Sequence, residues 1–152
     1  MKKQKIHLTK QGFSDIQNEL NILRGKRPIL VKEIDHMREL GDLKENGAYE
    51  ILRADLSYMD GRIIELEEIL RHAVIIEEKD DGVIHLGSTV ELHIENDKVH
   101  YQLVDETEAD AVQGRVSIKS PIGKELVGKK VGDQVHVESP SGKITYLILN
   151  IK

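Results

Sequence analysis

The sequence predicts an α+β chain in which an N-terminal antiparallel α-helical coiled-coil hairpin precedes a small β-rich domain. Three observations carry that expectation. Apolar residues recur at alternating three- and four-residue spacing as far as Leu70. Beyond Ala73 the period changes to the alternation of strands. Gly41 interrupts the helical pattern, and two carboxylates, Asp42 and Glu45, fall inside the interruption.

The first helix starts after Thr9, whose hydroxyl suits an N-cap because it can accept from an orphan backbone N–H. Phe13, Ile16, Leu20, Leu23, Leu30, Ile34 and Met37 then mark a coiled-coil seam, with only Arg27 out of character between Leu23 and Leu30. Gly25 and Pro28 sit nearby, and Pro removes one ladder hydrogen bond and crowds the preceding turn. A kink or short break is expected there, with the register surviving across it. Leu40-Gly41 ends the helix. The return helix carries Leu52, Leu56, Met59, Ile63, Leu66 and Leu70 at the same spacing. Too few residues separate the two for anything but a tight reversal, so the pair is antiparallel. A helix of roughly 30 residues measures about 45 Å. The narrow apolar stripe suits a two-helix seam that projects rather than a helix sunk in a globule.

The expected domains are residues 1–74, with a tip at about 41–46, and residues 75–152. In the second, Thr89–Ile94 and Val99–Val104 flank a turn at Asn96-Asp97, and Gln134–Glu138 and Ile144–Leu149 flank Ser139–Gly142, giving two hairpins. Pro121 suits the first position of a short helix between them.

Composition narrows the function. Charged residues make up 32% and aromatics 3%, which describes a charge-rich chain poor in aromatic anchors. There is no cysteine, hence no disulfide framework and no sulfur-based metal site. The basic start, Met1–His7, lacks an apolar stretch after it and does not read as a secretory signal, and no run approaches the ~20 apolar residues of a membrane span. A cytoplasmic monomer is expected. The net charge of −5 lies entirely in residues 75–152, with 9 basic and 14 acidic side chains; residues 1–74 carry 13 of each. A general grip on nucleic acid requires a basic surplus, so free DNA or RNA is disfavoured as a partner. The seven histidines show no metal-ligand spacing.

Gly41-Asp42-Leu43-Lys44-Glu45-Asn46, followed by Tyr49, Arg53 and Gly61-Arg62-Ile63, resembles the tip and return helix of the bacterial Gre transcript cleavage factors, on the GreA-like side of that family. Ser117-Ile118, Ser120-Pro121-Ile122-Gly123, Val127-Gly128-Lys129 and Gly132-Asp133 are similar to its C-terminal domain. The resemblance covers nearly the whole chain. It implies a coiled coil that enters the secondary channel of RNA polymerase and an FKBP-like domain that docks on the channel rim. It also implies a factor that is not itself an enzyme but stimulates the polymerase's own cleavage of backtracked RNA 3′ ends. Gly47-Ala48 depart from the pattern, which usually has Glu before the tip Tyr and often Ala before that. Glycine in a first helical turn weakens the helix by up to ~1 kcal/mol.

On that resemblance Asp42 and Glu45 assist the polymerase-bound metal. Mg²⁺ prefers oxygen ligands and often takes only one or two carboxylates from any one protein. Three residues apart, the two acids share a face in a helical turn. They are too few to hold Mg²⁺ alone, so the chain has no cofactor of its own and shares the ion with the polymerase. The same spacing also fits a capping box, in which Asp42 accepts from the Glu45 backbone N–H. The resemblance implies polymerase or RNA contacts for Arg38, Leu43, Lys44, Asn46, Arg53, Ser120, Pro121 and Ile122. Tyr49 fits seam packing or stacking on RNA, and Arg38 and Arg53 fit salt bridges or contact with RNA. One alternative function keeps the hairpin but makes the protein a channel regulator without cleavage. Another, peptidyl-prolyl isomerisation, requires an aromatic-lined pocket, and residues 75–152 offer only Tyr101 and Tyr146.

Overall fold

Helix α1 (Lys10–Glu39) and helix α2 (Gly47–His72) are the long elements of the computed structural model, which describes residues 5–41 and 47–152. Thr9 caps α1 as its sequence suggests, its Oγ1 accepting from the backbone N–H of Gly12 at 2.9 Å. At the other end Gly41 takes φ of 105°, a conformation a side chain would oppose, and its N–H bonds back to the Arg38 carbonyl.

Helix α1 runs continuously through Pro28, so of the expected kink or short break the break does not occur. The missing ladder bond is outweighed by what holds the helix on either side. Leu23 and Leu30 are half-buried in the seam, and three arginine–carboxylate pairs cross between the helices, Glu19 with Arg62, Arg24 with Glu67 and Arg27 with Asp60. Two of the pairs are bidentate: Arg62 donates to Glu19 from Nε at 2.7 Å and from Nη2 at 3.0 Å, and Arg27, the residue that interrupts the apolar seam, donates from Nε to Asp60 Oδ1 at 2.6 Å and from Nη2 to Oδ2 at 3.3 Å. The Arg27 guanidinium holds the Asp60 carboxyl below the usual carboxylate range. Exposed pairs of this kind are screened by water, so they fix alignment more than they stabilise.

The seam is sealed at its ends and open in its middle. Ile16, Leu20, Leu66 and Ile69 are buried near one end, Ile34 and Tyr49 near the other. Between them lies a groove of about 350 Å³ lined in part by Leu23, Ile29, Leu30, Tyr58 and Met59. Gly61 lies in this middle stretch, inside α2, with nothing within 4 Å of where a Cβ would stand. Gly61→Ala is therefore expected to stabilise the hairpin by up to about 1 kcal/mol, through helix propensity alone. Thermal melting followed by helix circular dichroism checks this; a lower midpoint would contradict it.

The second body of the chain is a five-stranded mixed sheet with one short helix. Its strands are β3 (Thr89–Ile94), β4 (Asp97–Val104), β5 (Arg115–Ser117), β6 (Gln134–Ser139) and β7 (Gly142–Ile151), in the order β5-β4-β3-β7-β6. Both expected hairpins are present. The first turns at Glu95-Asn96 rather than Asn96-Asp97, because Asp97 already pairs with Ile94. Strand β5 pairs parallel to β4, the one parallel step in the sheet. Helix α3 (Pro121–Leu126) packs beside β5 and β6. Ile84, Val90, Leu92, Leu103, Leu126, Val135, Tyr146 and Ile148 form the core. Burying each of the larger aliphatic side chains contributes about 1.5–3 kcal/mol.

Two units result, Phe13–Ala73 and, separately, Ile6–Gly12 with Val74–Lys152. A linear boundary near residue 74 has no place for this return of the N-terminal segment. Its causes are local. Strand β1 (Ile6–Leu8) pairs with β2 (Ala73–Ile75), and the Ile76 N–H continues the pairing to the Leu8 carbonyl. Glu108, only 7% exposed, accepts from the Thr9 backbone N–H at 3.0 Å and from the Thr9 hydroxyl at 2.6 Å. A carboxylate at the first turn of α1 also meets the positive end of the helix dipole. Glu108→Ala leaves both Thr9 donors unpaired and is expected to cost roughly 1.5–3 kcal/mol. Urea denaturation reads the loss; an unchanged midpoint would show the clamp to be idle. Among the described residues no helix is long and apolar enough to cross a membrane.

Candidate functional site

Where the two long helices meet in sequence, the structure gathers an aromatic ring and two arginines. Tyr49 occupies the first turn of α2 and is 7% exposed. Arg53 stands four residues further on and therefore on the same helix face, with its guanidinium carbon 5.7 Å from the Tyr49 ring centroid. Arg38, in the last turn of α1, comes to the same ring at 5.9 Å and donates from Nε to the Tyr49 hydroxyl at 3.1 Å. That hydrogen bond raises the Arg38 pKa further, the guanidinium gaining a partner for its charged form. Its Nη1 lies 3.6 Å from Asp35 Oδ1 on the same helix. Both arginines are exposed while the ring is buried. Each cation within ≈6 Å of an aromatic face is attracted by the ring quadrupole, an attraction that solvent weakens at such an exposed position.

Of the residues singled out in the sequence, Arg38 and Arg53 are thus brought together, through Tyr49. Asp42, Leu43, Lys44, Glu45 and Asn46 lie outside the described residues. Of the two readings of Tyr49, seam packing accords with its burial, which leaves little ring face for stacking on RNA. The i,i+4 spacing of Tyr49 and Arg53 was visible in the sequence. The contact with Arg38 crosses between helices and had no local signal.

The second group of expected contact residues starts α3. Ser120 caps that helix, its Oγ accepting from the Gly123 N–H at 3.1 Å and donating to the Ser117 carbonyl at 2.6 Å. Pro121 occupies the first helical position and is exposed, whereas Ile122 packs partly against the core. Gly123 is buried with no room for a Cβ, which would meet the Ser117 carbonyl oxygen and stand 3.0 Å from Ile118 Cα. Tyr101 and Tyr146 both pack into the core cluster. Among the described residues no group of three or more histidine, cysteine or acidic side chains is placed to hold a metal ion.

A long helical hairpin and a mixed-sheet domain, with an arginine–tyrosine–arginine cluster at the helix ends and a capped Ser-Pro helix in the sheet domain, define a factor built in two parts. Residues 6–75 match the family model described as transcription elongation factor, N-terminal, and residues 79–152 match transcription elongation factor, GreA/GreB, C-term. Among curated relatives, transcription elongation factor GreA of Thermosipho melanesiensis is 41% identical over 156 aligned positions, covering 100% of this chain and 99% of that protein. GreA of Thermoanaerobacter pseudethanolicus is 39% identical over 97% of both chains. GreA of Thermomicrobium roseum is 34% identical over the full length of both. A solved structure of the transcription factor Gfh1 is similar at 30% identity with a TM-score of 0.50, covering 99% of each chain. The chain belongs to the GreA/GreB family of transcription elongation factors.

Proposed function

We propose that this protein reactivates backtracked RNA polymerase. The helical hairpin enters the secondary channel, and the sheet domain docks on the channel rim through the exposed start of α3 at Pro121. The observation that carries the reading is the pair of carboxylates, Asp42 and Glu45, in the stretch of sequence between two long helices whose ends present Arg38 and Arg53. The polymerase remains the catalyst. Asp42 and Glu45 would add oxygen ligands for a Mg²⁺ ion that the polymerase and its RNA also hold. When bound, such an ion supplies Lewis-acid stabilisation and an activated water for phosphodiester hydrolysis.

This chain's own residues do the positioning. The acids offer acceptor oxygens to the attacking water. Arg38 and Arg53 offer guanidinium donors to phosphate or carboxylate groups near the RNA 3′ end, and Leu43, Lys44 and Asn46 contact the walls around it. Membership of a transcription elongation factor family over the full chain supports this reading.

The test couples capture of RNA polymerase on the immobilised protein with cleavage of end-labelled transcript in stalled complexes. Capture together with faster release of 3′ fragments is the expected result. Capture without faster cleavage would replace the proposal with the channel-regulator alternative, and absence of capture would overturn both.

A further inference from the structure

We propose that Tyr49 is a positioning residue of this site: its buried ring holds Arg38 and Arg53 as a fixed pair, so that two exposed guanidinium groups are presented together from the ends of two different helices. The inference rests on the cleavage-stimulating function just given and deepens it.

Three features of the geometry support it. First, the ring is 7% exposed although it stands in the first turn of α2, where a side chain with no structural duty would face water. Second, both guanidinium groups lie within cation–π distance of the ring, at 5.9 and 5.7 Å. Two like charges have no attraction of their own to keep them together, and the negative face of one aromatic ring supplies it. Third, Arg38 donates its Nε–H to the Tyr49 hydroxyl. A guanidinium tied at Nε has lost much of its rotational freedom, while its exposed terminal NH₂ groups can still turn donors to an anionic partner, Nη1 in exchange for its long 3.6 Å pairing with Asp35.

The chemistry suits a phosphodiester. Arginine binds phosphate oxygens through paired N–H donors, and that geometry is strengthened when the side chain is already ordered. Free arginine side chains must give up rotamer entropy to bind, and pre-ordering on Tyr49 removes part of that cost. Tyr49 does not itself touch the reacting atoms in this account. It acts through the two arginines, so its removal alters how well a bound complex reacts more than how much complex forms.

The experiment compares Tyr49→Phe and Tyr49→Leu in the full chain, with two readouts. The first is the ¹H–¹⁵N signal of the arginine Nε groups. Ring-current displacement of the Arg38 and Arg53 signals is expected in the native protein and in Tyr49→Phe, and its loss in Tyr49→Leu. The second is factor-stimulated cleavage in stalled polymerase complexes, measured against factor concentration. Tyr49→Phe keeps the ring and is expected to stay within about threefold of the native maximal rate, whereas Tyr49→Leu is expected to lose between about ten- and a hundredfold. The half-saturating concentration should move little in either, which is the split expected of a group that acts after binding.

A Tyr49→Leu protein with the native maximal rate overturns the proposal, as does one changed only in half-saturation. A Tyr49→Leu protein that loses its helical circular dichroism also overturns it, by making the ring a stability element. Undisplaced arginine signals in the native protein overturn it independently of any polymerase assay. Failure of the underlying function looks different: the native protein itself would leave the polymerase's own cleavage rate unchanged, and the arginine signals would then decide the clamp alone.

Discussion

Asp42→Ala combined with Glu45→Ala is expected to leave RNA polymerase binding intact and to return transcript cleavage to the rate of the polymerase alone, a loss of about a hundredfold or more. The expectation separates two properties that different parts of the chain supply. On the proposed function, binding draws on the two helices and the sheet domain. Stimulation draws on carboxylate oxygens, and alanine offers none. The amide variants Asp42→Asn and Glu45→Gln refine the test, because they keep shape and some hydrogen bonding while removing charge. If these acids serve only as a capping box, the amides should behave nearly as the native protein, since asparagine caps as well as aspartate. If they serve a metal, the amides should fail almost as fully as alanine. Cleavage assays on stalled complexes, with polymerase capture measured in parallel, distinguish the two.

Gly123→Ala is expected to be the most damaging single substitution in the sheet domain. Its added Cβ would run into the Ser117 carbonyl oxygen and stand 3.0 Å from Ile118 Cα, and both obstacles are backbone atoms. Ser117 is paired in β5 and its carbonyl also accepts from the Ser120 hydroxyl and backbone N–H, so it cannot withdraw without breaking those bonds. Relief must come from moving α3, which carries the fully buried Leu126 into the core. Overpacking of this kind costs up to about 3 kcal/mol, occasionally more. For a domain of this size that corresponds to a fall in melting temperature of roughly 12–24 °C. Calorimetry of the full chain measures it, and a midpoint within a few degrees of native would show that α3 shifts freely. The contrast with Gly61→Ala is informative. The same chemical change is expected to stabilise where a Cβ meets nothing and to disrupt where it meets backbone.

Much of the fold was legible in the sequence because it is written in local periods. The three-four spacing of Leu52, Leu56, Met59, Ile63, Leu66 and Leu70 fixes a helix wherever it occurs, and Ser120-Pro121 announces a helix start. The rest depends on partners far away along the chain. Strand β1 is three residues long, too short to show alternation, and exists because β2 pairs with it. Glu108 reads as one more surface acid until Thr9, 99 residues earlier, is placed against it. In the sequence Arg27 reads as a flaw in the seam and Pro28 as a kink or short break, whereas in the structure Arg27 pairs with Asp60 and the helix continues through the proline. Tertiary packing overrode a local penalty in both cases. At the candidate site the acids were visible by type and spacing, whereas the joining of Arg38 and Arg53 through one tyrosine emerged only from the folded hairpin.

On the proposed function, this chain contributes carboxylate ligands to a metal site it cannot form alone. Titrating Mg²⁺ into stalled polymerase complexes tests it most directly, with cleavage rate followed for polymerase alone, with the native factor and with the Asp42→Ala, Glu45→Ala double variant. The native factor is expected to shift half-maximal cleavage to lower Mg²⁺, and the double variant to restore the curve of polymerase alone. Superimposable Mg²⁺ curves for the native factor and the double variant would contradict it.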